Sequence, residues 1–164
     1  MNKIIVAAQF ANNAHKGQVR RYTGRPYITH PARVAGMVAA YPVATEEMVI
    51  AAYLHDVVED TNITLQEIYE EFGSTVGTYV DQLTNKSKGK GLNREARKKL
   101  DREHLSFCSR EVKLIKLFDR IDNLRELPND VKGFKEMYKK ESILLAEFIG
   151  DADEDLKKEL LSLC

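Results

Sequence analysis

A chain of 164 residues is the size of one ordinary domain with a single hydrophobic core. Hydrophobic residues make up 43% and charged residues 30%, which excludes an intrinsically disordered chain. The 25 basic side chains (Lys and Arg) equal the 25 acidic ones (Asp and Glu), so a general nucleic-acid-binding protein, which carries a large positive excess, is not expected. A small anionic ligand stays open, because a local basic cluster is enough to bind it.

The two cysteines, Cys108 and Cys164, form no CxxC pair and suggest no disulfide framework, which predicts a protein of the reducing cytoplasm. The apolar N-terminal stretch is interrupted by Asn12 and Asn13, so it falls short of the roughly 20 apolar residues of a membrane span. It also lacks the small-residue cleavage site of a signal peptide. We therefore expect no association with a membrane.

Helical periodicity and capping signals predict an all-α chain that forms one domain over residues 1–164. In chain order, the predicted helices span residues 2–15, 31–40, 45–57, 64–72, 74–84, 93–105, 111–127, 131–149 and 153–163. Thr45 has the position of an N-cap, and Thr64 with Glu67 has the spacing of a capping box. The helix over 111–127 has apolar side chains all around it, so we expect it to be central and buried. Residues 17–30 are predicted to form a structured loop.

The segment YLHDVVED places His55 and Asp56 side by side at the end of an apolar helix. Glu59 lies four residues after His55 and Asp60 four residues after Asp56, so each pair shares a helix face. Charged groups on a core-facing helix are costly unless they are paired or bound to a metal ion. The segment therefore predicts two metal ligands followed by two carboxylates that orient or deprotonate a water molecule.

Two further ligand candidates are His30, just before a predicted helix, and Asp119, inside the most apolar helix of the chain. Taken alone, His30 fits a surface or N-cap histidine, and Asp119 fits an ion pair with another helix. Because His55 and Asp56 are available as further ligands, the interpretation of His30 and Asp119 as metal ligands is favoured over these alternatives. Such a mixed nitrogen and oxygen set suits Mn²⁺, Mg²⁺ or Fe²⁺ better than a thiolate-type zinc site, although Zn²⁺ stays open.

Basic residues precede His30 in the loop and recur on the charged helix over 93–105, where most are expected to form a solvated surface. One or two of them are expected to reach a phosphate-bearing ligand. His15 and His104 are interpreted as surface histidines, and Cys108 has no basic partner that the sequence assigns. Tyr27, like the other tyrosines of the N-terminal half, is interpreted as a core or rim residue.

These residues resemble those of HD-domain metal phosphohydrolases. The fuller pattern, FANNAHKGQVRRYTGRPYITHPARVA, AAYLHDVVEDTNIT and VKLIKLFDRIDNLREL, closely resembles the hydrolase domain of RelA/SpoT-type alarmone enzymes, in particular the small stand-alone hydrolases of the metazoan SpoT homologue type. The resemblance is strong over residues 3–127 and weak over the last two helices. It implies a helical HD-domain bundle that removes the 3′-pyrophosphate of (p)ppGpp, giving GDP or GTP and pyrophosphate.

The resemblance also implies roles for individual residues. His30, His55, Asp56 and Asp119 match the manganese ligands of the family, and Glu59 and Asp60 match the pair that positions and activates the attacking water. Other positions match residues that bind the nucleotide: Arg21 packs on the guanine, Asn123 contacts the sugar and its phosphate region, and Arg94 and Lys98 fall where some relatives contact phosphate.

Tyr22 and Asp122 depart from the family pattern, which usually has a basic residue at the first position and His or Tyr at the second. These departures keep two alternatives open. One is a related nucleotide phosphatase that acts on NADPH, another alarmone or a toxin-made nucleotide. The other is a non-catalytic module that binds an alarmone. The expected partner is a small nucleotide rather than a nucleic acid or a membrane, and a homo-oligomer is left open.

Overall fold

The computed structural model describes residues 2–128 and 133–164, which form two compact units, one ending at Thr84 and the other beginning at Asn85. The backbone of these residues is helical and contains no β-strand, apart from an isolated antiparallel bridge between Val19 and Pro26. None of the described helices is long and apolar enough to cross a bilayer. The prediction that residues 1–164 form one domain stays a prediction.

The first unit is built around one helix that is apolar on every side. Its helices are α1 (Lys3–Ala14), α2 (Thr29–Ala39), α3 (Glu46–Leu54), α4 (Val57–Asp60), α5 (Leu65–Phe72) and α6 (Ser74–Leu83). Helix α3 packs against α1, α2 and α6, and six of its nine residues are buried. Residues that follow the end of α3 are therefore held by the core of the unit.

Local capping signals set several helix ends, as the sequence predicts. The Thr45 side chain accepts a hydrogen bond from the backbone N–H of Met48 at the start of α3. Thr64 and Glu67 form the complete capping box at the start of α5. Gly73 ends α5 with φ of +91°, a backbone conformation that favours glycine over other residues.

Two predicted boundaries near the candidate site are wrong. Helix α2 begins at Thr29, so His30 lies within its first turn and not before it. The predicted helix over 45–57 ends at Leu54, and Val57–Asp60 forms the separate short helix α4. The break falls at His55 and Asp56, where the backbone of Asp56, with φ of −101° and ψ of −7°, stays in the right-handed region but deviates from ideal α-helical angles. Asp is a poor helix former, and here its side chain bonds away from its own helix.

The second unit is built around the predicted central helix. Its elements are α7 (Arg94–Ser106), α8 (Arg110–Glu126), α9 (Phe134–Ile149), a 3-10 helix (Gly150–Ala152) and α10 (Glu154–Ser162). Helix α8 packs against the other elements and is buried along most of its length, which confirms the prediction for residues 111–127. The predicted helix over 131–149 is confirmed from Phe134 onward; positions 131 and 132 lie outside the described residues.

Candidate metal centre

Three side chains of the first unit converge on one point. His30 comes from the first turn of α2, whereas His55 and Asp56 follow the last turn of α3. Each offers one ligand atom, and these atoms all lie within 4.8 Å of one another. Asp56 Oδ2 lies 3.1 Å from His55 Nε2 and 3.7 Å from His30 Nε2. Two nitrogen donors and a carboxylate oxygen this close together fit a divalent metal ion.

The backbone fixes the orientation of the His55 ring. Its Nδ1 lies 2.7 Å from the carbonyl oxygen of Ala52, one turn earlier in α3. A carbonyl oxygen only accepts, so Nδ1 carries a proton, and in the neutral imidazole Nε2 then has its lone pair on the side of Asp56. A metal-binding histidine is held in the same way, with one ring nitrogen bound to a carbonyl and the other available to the ion.

Tyr27 contacts the Asp56 carboxylate of the candidate metal site from outside the cluster. Its hydroxyl oxygen lies 2.6 Å from Asp56 Oδ2 and 3.1 Å from Asp60 Oδ2. The sequence interpretation of Tyr27 as a core or rim residue missed this contact. A signal was present in the segment PYITH, because Tyr27 stands three residues before His30, and the backbone N–H of His30 bonds to the Tyr27 carbonyl at 3.0 Å.

Glu59 and Asp60 lie on α4, directly after the candidate ligands His55 and Asp56. Loss of hydration raises the pKa of the Asp60 carboxyl above its ordinary value, and the negative charge of Asp56 raises it further. The hydrogen bond from Tyr27 acts in the opposite direction. A carboxyl group whose proton is held more tightly than usual suits proton transfer near a reacting phosphate.

His15 was predicted to be a surface histidine, and this is wrong. It is only 3% exposed, and its ring stacks on the Tyr27 ring with 4.6 Å between ring centres. Its Nδ1 is hydrogen-bonded to the Gln18 side chain. The chain turns back after α1, where the backbone N–H of Tyr27 bonds to the Gln18 carbonyl, and this turn directs His15 inward.

Asp119 and Asn123 lie on α8 in the second unit. Asp119 is 5% exposed; its Oδ1 accepts from Asn123 Nδ2 and its Oδ2 from Lys116 Nζ, both at 2.6 Å. Asp119 and Asn123 therefore lie side by side on α8. The role of Asp119 as a fourth metal ligand stays a prediction. Asp122, the departure from the family pattern, is also buried.

A family model described as an HD domain matches residues 7–144. The chain belongs to the HD-domain family. A MESH1 guanosine-3′,5′-bis(diphosphate) 3′-pyrophosphohydrolase of Xenopus tropicalis is 43% identical over 126 residues, which cover 76% of this chain and 69% of that protein. The human MESH1 protein is 39% identical over 127 residues, with the same coverage of both chains.

A solved structure described as a metazoan orthologue of SpoT that hydrolyses ppGpp superposes on this chain with a TM-score of 0.88. The two chains are 28% identical, and the superposition covers 99% of this chain and 94% of the other. The predicted all-α HD-domain fold and the predicted family, that of the small alarmone hydrolases, are both confirmed.

The predicted nucleotide-binding residues of this HD-domain chain differ in their surroundings. Arg21 is exposed, and its guanidinium lies 5.5 Å from the centre of the Tyr22 ring. Both oxygens of Glu141 accept from Arg94, at 2.7 and 3.0 Å, so its charge is matched within the second unit. Lys98 forms no ion pair or hydrogen bond with the residues that the structure describes. The roles of all three in substrate binding stay predictions.

Cys108 of the HD-domain chain makes a contact that the sequence did not predict. Cys108 Sγ lies 3.6 Å from His104 Nε2, one turn earlier in the chain. The expectation that Cys108 lacks a basic partner is therefore wrong, because the turn after α7 brings the thiol back over the histidine.

Proposed function

We propose that this chain is a manganese-dependent (p)ppGpp 3′-pyrophosphohydrolase, which uses water to release pyrophosphate and leaves GDP or GTP. The hydrolase class itself is confirmed by membership of the family. The observation that carries the substrate proposal is the His30–His55–Asp56 cluster with its fixed His55 nitrogen, in a chain whose relatives are named as hydrolases of this nucleotide.

The residues present fit a divalent metal ion. His30 and His55 supply nitrogen and Asp56 supplies oxygen, and we assign Asp119 as a fourth ligand. Carboxylate and imidazole donors without thiolates are compatible with Mn²⁺. A bound divalent ion lowers the pKa of water and neutralises charge that develops at the phosphorus.

The remaining site residues act on the water and on the nucleotide. Glu59 and Asp60 align the attacking water and accept its proton, and the raised pKa of Asp60 favours proton exchange at its carboxyl group. Tyr27 holds Asp56 in the orientation that ligation requires. Arg21 packs on the guanine, and Asn123 contacts the sugar. We place the enzyme in the cytoplasm, because its two cysteines are free and form no disulfide framework.

The direct experiment incubates purified protein with ppGpp and Mn²⁺ and measures GDP and pyrophosphate separately. We expect both products in equal amounts, and none with Asp56→Asn, which removes one ligand charge at constant shape. Glu59→Gln is expected to retain the metal but lose turnover. The proposal would be contradicted if the folded, metal-loaded protein released no pyrophosphate from ppGpp.

A second candidate function is a related phosphatase for NADPH, another alarmone or a toxin-made nucleotide. It is favoured by Tyr22, whose ring lies beside the Arg21 guanidinium where the family usually has a basic residue. An aromatic ring in place of a cation changes the recognition of base and phosphate together. A substrate panel separates the two functions, because release of inorganic phosphate alone is incompatible with cleavage of a 3′-pyrophosphate.

A further inference from the structure

Two residues at the end of α1 form a network with Tyr27, beside the candidate metal centre and within the first unit. His15 is the C-cap of α1, and Gln18 follows three residues later. The His15 ring is buried and stacks on the Tyr27 ring, and its Nδ1 is hydrogen-bonded to the Gln18 side chain. We call His15 and Gln18 the Tyr27 support.

The orientation of the Gln18 amide is set by Asp60. Gln18 Nε2 lies 3.3 Å from the backbone carbonyl oxygen of Asp60, which can only accept a hydrogen bond. The amide therefore presents its donor to Asp60 and its acceptor, Oε1, to the His15 ring. It follows that His15 Nδ1 carries a proton and donates a hydrogen bond to Gln18.

The other ring nitrogen explains why the residue type at position 15 is informative. His15 Nε2 is buried and has no hydrogen-bond partner within residues 2–128 and 133–164. A buried polar atom without a partner costs free energy, so packing alone would favour an apolar side chain at this position. What an imidazole adds is a flat ring against Tyr27 combined with a donor for Gln18.

Tyr27 is held at its backbone and at its ring. Its backbone N–H bonds to the Gln18 carbonyl oxygen at 3.0 Å, and the ring centres of Tyr27 and His15 lie 4.6 Å apart. The hydroxyl at the far end of the ring therefore has little freedom where it contacts the carboxylates of Asp56 and Asp60.

The same network holds Asp60 at two points. Gln18 binds its backbone carbonyl, and the Tyr27 hydroxyl binds its carboxylate. Asp60 is the last residue of α4 and Asp56 is the N-cap of this helix, so the contacts fix α4 at both ends. The placement of the candidate ligand relative to the Asp60 carboxylate thus depends on the Tyr27 support.

We propose that His15 and Gln18 are positioning residues, which act through Tyr27 and α4. They hold Asp56 in the orientation for metal binding and Asp60 in the orientation for proton transfer. Groups with such roles work only when they are held within roughly 0.5 Å of the productive geometry. This inference rests on the proposed function for the roles of Asp56 and Asp60, and it deepens that function by adding two residues that support the site from behind.

A double-mutant cycle in EDTA tests the link without a metal ion. Urea titration measures the equilibrium constant for unfolding of the wild type, His15→Leu, Tyr27→Phe and the double variant. Tyr27→Phe removes the hydroxyl and keeps the ring. We expect its effect on this constant to be at least about threefold larger when His15 is present than in His15→Leu, because a hydroxyl on an unsupported ring contributes less.

Gln18→Met removes both side-chain hydrogen bonds of Gln18 at similar volume, and it is carried through the same cycle with the same expectation. It decides the question if His15→Leu does not fold. Phe10→Leu is the matched control, because Phe10 also belongs to α1 and its ring packs edge-on against Phe72. The inference is overturned if the variants of the Tyr27 support are as independent of Tyr27→Phe as Phe10→Leu is.

Isothermal titration with Mn²⁺ gives the second readout. We expect His15→Leu and Gln18→Met each to weaken Mn²⁺ binding by about tenfold, the lower end of the usual cost of losing a group that orients a ligand, and Phe10→Leu to bind like the wild type. In the Tyr27→Phe background, His15→Leu should weaken binding by less than about twofold further, because the hydroxyl through which it acts is gone.

Unchanged Mn²⁺ affinity in both variants of the Tyr27 support overturns the inference, as does a full effect of His15→Leu that persists in Tyr27→Phe. A folded wild type that binds no Mn²⁺ contradicts the proposed function instead. The cycle in EDTA then still decides whether His15 and Gln18 hold the Tyr27 hydroxyl, so the two failures are distinguishable.

Discussion

The hydroxyl group of Tyr27 lies 2.6 Å from Asp56 Oδ2, which connects the loop before α2 to the carboxylate of the candidate metal centre. The same hydroxyl lies 3.1 Å from Asp60 Oδ2, so the Tyr27 phenol links a candidate metal ligand, Asp56, to a carboxylate that we propose acts on the attacking water. A carboxylate with one oxygen held in this way loses less rotational freedom when it binds an ion.

Tyr27→Phe is expected to weaken Mn²⁺ binding by about ten- to a hundredfold, the usual cost of losing a partner that orients a ligand. Isothermal titration with Mn²⁺ measures the effect, and the retained ring preserves the packing against His15. Tyr69→Phe is the matched control, because within the described part of the chain the only hydrogen bond of the Tyr69 hydroxyl is to the exposed Thr78, at 3.4 Å. Equal Mn²⁺ affinities for the two variants would show that Tyr27 does not position Asp56.

Asp119→Asn tests whether the second unit supplies the fourth ligand. We expect this change to weaken Mn²⁺ binding at least about tenfold, since the amide offers a neutral oxygen in place of a charged one. Asp101→Asn is the control: Asp101 is an equally buried aspartate of the same unit, but it binds Ser87. Thermal unfolding in EDTA reports the structural cost of each change. Unchanged Mn²⁺ affinity in Asp119→Asn would remove Asp119 from the ligand set.

Asp60 gives a pH-dependent difference in stability. Its pKa is raised in the folded protein, so the folded state holds the Asp60 proton more tightly than the unfolded chain does. The resulting stabilisation is complete below the ordinary pKa of 3.8 and is lost as pH rises through the folded-state pKa. The amide side chain that Asp60→Asn introduces cannot be deprotonated. In EDTA, the free energy of unfolding of this variant, relative to that of the wild type, should therefore increase as pH rises across this range. Urea titrations at a series of pH values measure the difference; a constant or falling difference contradicts the assignment.

The capping box of α5 gives a stability prediction away from the metal centre. Thr64→Ala removes the acceptor of the Glu67 backbone N–H and the hydroxyl donor to the Glu67 carboxylate, and is expected to cost about 1 kcal/mol. Hydrogen bonds from the Thr64 backbone N–H and, to a smaller extent, from its hydroxyl lower the pKa of Glu67. The part of the cost that comes from the bond between the Thr64 hydroxyl and the Glu67 carboxylate is therefore present above the ordinary pKa of 4.5 and is lost as pH falls, whereas the bond from the Glu67 backbone N–H to Thr64 does not depend on pH. Gln66→Ala, on the same helix, is the control and should change the free energy of unfolding by only a few tenths of a kcal/mol. A loss for Thr64→Ala no larger than that of the control would contradict the role of the cap.

The sequence by itself determined the helical class, most helix positions and the residue types of the candidate metal centre. These properties depend on local signals: apolar periodicity, N-cap residues such as Thr45 and Thr64, and the adjacent pair His55–Asp56. Such signals act over three or four residues along the chain, so they are readable without knowledge of the fold.

Only the tertiary structure decided which distant residues meet. Tyr27 contacts Asp56, which lies 29 positions later in the sequence. His15 is buried by a turn that the hydrophobic periodicity of the sequence does not predict. The sequence predicted that most cations of α7 form a solvated surface. In the structure, packing against α8 places Arg102 of α7 and Arg120 of α8 around one cavity. The physical reason is that contacts between elements depend on the packing of the whole core, whereas a sequence pattern specifies only the face on which each side chain lies.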